Sequence, residues 1–176
     1  KRMRCIYLII ITSIIACDSN EPRYPVDYFK KNNSTIISQV IVEQNKKIDD
    51  YIFKNKENSY LNSKKGFFYF YDIKNNLSNK KAHFGDKINF NYSVKDLNNK
   101  VIYDEEFIGN QSYVMGKQEI ITGLREALQL LKNGEVGTFI FPSYKAYSIY
   151  GDSNKIPANT PIICTIKVKS INSTQN

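Results

Sequence analysis

An α+β fold, with an antiparallel sheet folded around one short helix, follows from three features of the 176-residue sequence. Short segments alternate apolar and polar residues at the period of two that a half-buried strand requires. A single segment after Gly123 sets Leu124, Leu128 and Leu131 at helical spacing. Polar turns such as Asp96 to Lys100, with its Asn98-Asn99 pair, join neighbouring strands closely enough for hairpin pairing.

Residues 1–17 read as a targeting segment. Lys1, Arg2 and Arg4 precede an apolar run from Ile6 to Ile15, too short for the ~20 apolar residues of a bilayer span. The run stops at Ala16-Cys17, followed by Asp18-Ser19-Asn20. Residues 18–33, with Pro22 and Pro25, read as a tether. Ser34 is a candidate N-cap for a helix reaching about Asn55, within a helical extension over 34–65. Its stripe of Ile37, Val40, Ile41, Ile48, Tyr51 and Ile52 would pack on the domain or form a self-association seam. Lysine does not dominate its polar face, which disfavours a membrane-surface helix.

The compact domain spans 66–171 and ends in a polar tail, 172–176. Gly66 to Ile73 reads as a strand aromatic on both faces. His83 to Asp86 is a turn. Lys87 to Val94 alternates, with Ile88, Phe90, Tyr92 and Val94 on one face, and Val101 to Asp104 returns beside it. Tyr113-Val114 begins a further strand that turns at Gly116. Ile120 and Ile121 then stand at the mouth of the helix from Gly123 to Leu131, which Asn133-Gly134 stops. Free backbone N–H groups at such a mouth can receive a carbonyl. Glu135 to Phe141 is a strand ended by Pro142. Residues 143–160 form a long loop, and Thr160 to Val168 is the last strand.

The composition excludes several chemistries. The formal charge is +8, yet no run of five Lys/Arg occurs and no basic stripe interleaves with aromatics, so nucleic acid is not an expected partner. Three separated cysteines, Cys5, Cys17 and Cys164, and the single His83 cannot supply a zinc site or a Cys–His pair. Removal of 1–16 and capping of Cys17 would leave Cys164 alone, and an unpaired cysteine in an exported protein is expected to be buried and inert. His83 is expected at the surface or in a cap. Asp104-Glu105-Glu106 could supply an acid/base pair, but nothing opposes it at a defined spacing. No Gly-rich phosphate loop is present. Tyrosine, phenylalanine and isoleucine recur near loop ends, a set that suits an apolar pocket.

In order and spacing these residues resemble the FKBP-type peptidyl-prolyl isomerases. The resemblance covers about Gly85 to Ile171. It includes Asn91-Tyr92, Tyr103-Asp104, Met115 to Leu124, Lys132 to Glu135, Phe141-Pro142-Ser143, Ala146-Tyr147, and Ile156-Pro157-Ala158-Asn159-Thr160-Pro161-Ile162. Ile14-Ile15-Ala16-Cys17 resembles a bacterial lipobox, and with it the whole chain looks like the gliding-motility-associated FKBP lipoproteins. The resemblance implies a five- to six-stranded half-barrel sheet wrapped around the short helix. It implies rotation of X–Pro bonds in exported, proline-containing polypeptides, without a cofactor or metal. Tyr147 would donate its hydroxyl to the rotating carbonyl, the Ile121 N–H would hold the carbonyl after proline, and Asp104 would stand at the pocket edge. Tyr92, Tyr103, Tyr113, Ile120, Leu124 and Ile156 would bind substrate. Cys17 would carry the lipid that anchors the protein on the periplasmic side of the cell envelope.

The chain departs from the family pattern at three positions. Leu124 stands where tryptophan is usual, Cys164 replaces an aromatic residue, and Ser148 replaces glycine. Each makes the pocket shallower or less aromatic. The alternative function is therefore a weakly catalytic binding or chaperone module of an envelope or gliding-motility machine, engaging an envelope protein through the 37–52 helix.

Overall fold

A computed structural model describes residues 26–173, with side chains described from Ile36 onward. The chain divides into two compact units at Thr35/Ile36; the described part of the first, residues 26–35, is helical. The elements run α1 (Val26–Lys54), β1 (Leu61–Asn62), β2 (Phe68–Ile73), β3 (Lys87–Lys95), β4 (Val101–Tyr103), α2 (Glu105–Ile108), β5 (Gln111–Val114), α3 (Thr122–Leu128), β6 (Val136–Phe141), a 3₁₀ turn (Ser143–Lys145) and β7 (Ile162–Asn172). The α1 helix starts at Val26, ahead of the expected Ser34 cap, so residues 26–33 of the expected tether are helical. The targeting segment 1–17, Cys17 included, lies outside the described residues.

All pairings are antiparallel, in the order β1-β2-β6-β7-β3-β4, and β5 pairs with β3. The sheet thus has seven strands rather than five or six. The addition is the two-residue β1, too short to show a period. β3 forks: Lys87 to Phe90 pair with β5, and Val94-Lys95 pair with β4. That fork brings Tyr113 and Tyr103 to the same side of the sheet as Tyr92.

The two sheet faces explain the hydropathy of the central strands. The inner face carries Ile88, Phe90 and Val94 of β3, Phe139 and Phe141 of β6, and Ile162, Cys164, Ile166 and Val168 of β7, packed with Leu124, Ala127 and Leu128 of α3. Ile140 and Ile163 of the outer face pack on Ile48 of α1. β6 is covered on both sides, which is why Gly137 to Phe141 are buried in succession and not in alternation. β7 is buried at three successive residues, Ile162 to Cys164. It alternates beyond them, with Lys167 and Lys169 exposed on either side of the buried Val168.

The stripe on α1 is therefore divided. Its C-terminal part packs on the sheet, and Ile37 at its start remains more than half exposed, as does the neighbouring Ile36. Between the two parts, Gln44 is buried and grips Ser143 twice. Its amide NH₂ donates to the Ser143 hydroxyl at 2.9 Å and its carbonyl accepts the Ser143 N–H at 2.9 Å. Gln44→Ala should lower stability by about 2 kcal/mol, because two buried polar groups lose their partner. A fall in the urea midpoint at unchanged m-value would record it.

The turn expected at Gly116 is present. Gly116 has φ +75°, the conformation that favours glycine; a Cβ there would also meet the exposed Phe84 ring at 2.5 Å, which would have to swing aside. α3 ends at Leu128, earlier than Leu131, though Leu131 is still fully buried.

Candidate functional site

The site residues come from five places in the chain: Tyr92 from β3, Tyr103 from the end of β4, Tyr113 from β5, Ile120, Ile121 and Leu124 from the entry to α3, and Tyr147 and Ile156 from the loop before β7. All eight belong to one apolar cluster or pack against it. Tyr103, Tyr113, Leu124 and Ile156 are buried; Tyr92, Ile120, Ile121 and Tyr147 are half-buried and form its accessible part.

Their hydroxyls differ in what they hold. The Tyr113 hydroxyl accepts the Gly116 N–H at 3.2 Å, so this residue braces the turn from inside the core. The Tyr103 hydroxyl donates to Asp152 and accepts the Lys155 N–H at 3.4 Å. Among the described residues the Tyr147 hydroxyl has no hydrogen-bond partner. Burial pushes its phenol strongly up, and Tyr92, Cys164, Asp152 and Tyr103, which surround it, push the same way. Burial, with Cys164 beside it, also raises Tyr92. A raised phenol keeps its proton, so Tyr147 is a hydrogen-bond donor throughout the physiological range.

Ile121 is the N-cap residue of α3. Its carbonyl accepts the Arg125 N–H at 3.2 Å, and its own N–H has no partner among the described residues. An N–H and a phenol hydroxyl, each unbonded among the described residues and each packed against the same apolar cluster, can each receive a carbonyl oxygen.

Asp104 directly follows Tyr103 in the chain. It is exposed, and its carboxylate caps α2 by accepting the Phe107 N–H at 2.7 Å. The Asp-Glu-Glu run is thus a helix start: a capping aspartate followed by acids that favour the positive end of the helix. A carboxylate bonded directly to a site residue is Asp152, to which no sequence signal pointed. Burial alone would raise its carboxyl. The hydrogen bonds from the Tyr103 hydroxyl and from the Ile156 and Asn154 N–H groups outweigh that and hold it below the usual range.

The three departures each have a structural outcome. Leu124 is buried at the base of the cluster, and Ser148 adopts the left-handed conformation, φ +54°, that glycine would take without strain. Cys164 is fully buried and free, and burial pushes its thiol far up, so it is inert as expected. The unfolded chain loses that proton first, so the thiol's contribution is intact below its ordinary ~8.5 and is lost as pH rises above it, by about 1.4 kcal/mol per pH unit. Cys164→Ala should flatten that part of the alkaline slope in urea unfolding measured from pH 8 to 10.

His83 is exposed, and its backbone N–H donates to Asp86 at 2.9 Å. Among the described residues no group of His, Cys, Asp and Glu could hold a metal, and no helix is long and apolar enough to cross a membrane.

The family described as FKBP-type peptidyl-prolyl cis-trans isomerase matches residues 78–169, more than half of the chain. The crystal structure of a peptidyl-prolyl cis-trans isomerase from Pseudomonas syringae pv. tomato superimposes with a TM-score of 0.62 at 15% identity. The superposition covers 77% of this chain and 96% of that one. At this identity the likeness establishes the fold. No curated protein sequence matches the chain.

Proposed function

We propose that this chain, which belongs to the FKBP-type peptidyl-prolyl cis-trans isomerase family, rotates X–Pro bonds of exported polypeptides between Tyr147 and the mouth of α3. The observation that carries the reading is the Tyr147 hydroxyl, half-buried among aromatic and apolar groups and without a hydrogen-bond partner among the described residues. An X–Pro bond crosses a barrier of about 18–20 kcal/mol set by amide resonance. Water favours the planar, polar amide over the twisted one, so an apolar enclosure removes part of that preference. Tyr147 then donates to the carbonyl as it turns, and the Ile121 N–H holds the carbonyl after proline. Tyr92, Tyr103, Ile120, Leu124 and Ile156 enclose the proline ring. Tyr113 supports them from the core, and Asp104 fixes the chain after Tyr103 by capping α2. No covalent bond is broken, so the chemistry needs no nucleophile.

Catalytic amounts of the protein should speed the proline-limited phase of refolding of a secreted substrate, a phase that takes tens to hundreds of seconds uncatalysed. A slow phase unchanged at equimolar protein contradicts the reading.

Cys17 is, in this reading, the lipid-bearing residue that anchors the protein on the periplasmic side of the envelope. Support comes from the lipobox resemblance and the likeness to gliding-motility lipoproteins. Several acyl chains would hold it stably, since each buried CH₂ contributes about 0.8 kcal/mol. Cys17→Ser should abolish labelling by radioactive palmitate in cells; labelling that persists removes the anchor from the proposal.

One observation favours the alternative, a binding module of an envelope machine. Ile36, Ile37, Val40 and Ile41 face Tyr144, Ser148 and Ile149 across an apolar groove of about 290 Å³. If Ile41→Asp abolishes function in cells while the isomerisation rate is kept, the binding reading gains over the catalytic one.

A further inference from the structure

Two walls of the site come from parts of the chain that no secondary structure joins. Tyr103 ends β4, and Ile156 lies in the loop after Tyr147. One carboxylate holds both. An oxygen of Asp152, Oδ2, accepts the Tyr103 hydroxyl, 49 residues away in sequence. The other, Oδ1, accepts the N–H of Ile156 at 2.8 Å and of Asn154 at 2.9 Å. The backbone closes the same turn, with the Asp152 N–H donating to the Ile156 carbonyl at 3.0 Å. Lys155 completes the junction, its ammonium 5.0 Å from the centre of the Tyr103 ring.

We propose that Asp152 is a positioning residue of the isomerase site, its two oxygens setting the separation of the Tyr103 and Ile156 walls and hence the fit of the proline ring. This rests on the site assigned above. The geometry suits a carboxylate. It accepts on both oxygens, whereas an amide in its place would hold Tyr103 only by reversing the hydroxyl from donor to acceptor. Charge-assisted bonds of this kind are also the shorter and stronger class. That the bonds outweigh the desolvation of the carboxyl fits a group committed to accepting. Loss of the junction leaves Tyr147 in place but lets the walls part. The effect should therefore fall on substrate affinity more than on the rotation of bound substrate.

The test is a double-mutant cycle on the full chain, with a proline tetrapeptide titrated and its Kd read from NMR shifts. Asp152→Asn should raise Kd about fivefold in the wild-type background and less than twofold in Tyr103→Phe, where the junction is already broken. The rotation rate at saturating peptide should stay within twofold for Asp152→Asn. The Ile156 amide resonance should move on Tyr103→Phe, a change with no covalent connection to it. An unchanged Kd for Asp152→Asn, or the same factor in both backgrounds, overturns the proposal and leaves the site assignment standing. A wild-type chain that binds no proline peptide overturns the site assignment, and the proposal with it.

Discussion

Tyr147→Phe should lower kcat/KM for a proline tetrapeptide about tenfold, with most of the loss in kcat. The substitution removes one hydroxyl and keeps the ring, so packing beside Tyr92 and Cys164 is preserved. One hydrogen bond to a carbonyl in an apolar site contributes about 1.4 kcal/mol to the transition state, a factor of ten in rate. A loss confined to KM would mean that the hydroxyl binds the planar ground state equally well, and that Tyr147 anchors without catalysing. Because burial keeps the phenol protonated, wild-type kcat should be flat from pH 6 to 9 as far as this residue is concerned. A fall through that window would place an ionising group other than Tyr147 at the rate-determining step.

Gly123→Ala should destabilise the fold by about 2 kcal/mol and impair the site as well. A Cβ at this position would lie 2.8 Å from the Phe141 ring and 2.9 Å from the Lys145 carbonyl oxygen. The second contact is backbone and cannot yield by a rotamer change. The first turn of α3 would have to withdraw from β6, carrying Ile121 and Leu124 with it. Thermal unfolding and peptide titration should therefore both respond, whereas a change in Tm alone would show that the helix mouth recovers its place.

Much of the sheet was legible because half-buried strands write their environment at a period of two. Ile88, Phe90 and Val94 are buried on one face of β3, as their spacing predicts, and Tyr92 stands half-open at the site. β6 read as a strand ended by Pro142, and it is buried at successive residues because α1 and α3 cover its opposite faces. The turn at Gly116 and the helix mouth at Ile121 were legible from one glycine and one β-branched pair. What escaped has physical reasons. β1 has two residues and no period. The α1 start at Val26 was hidden by Asn32-Asn33-Ser34, residues that compete for backbone hydrogen bonds and resemble a cap. α2 was hidden by its own capping acids, which also suit acid/base chemistry. Asp152 escaped because its partner, Tyr103, lies 49 residues away and no sequence spacing links them. Residue type placed the site's walls, and only the fold identifies the carboxylate that joins them.

Exchange spectroscopy by NMR on a proline tetrapeptide, with the protein present at a hundredth of the peptide concentration, tests Tyr147-dependent rotation most directly. The cis–trans exchange rate should rise in proportion to wild-type protein and about tenfold less steeply with Tyr147→Phe. An exchange rate that stays at the uncatalysed value with wild-type protein, or that rises equally with both, would contradict it.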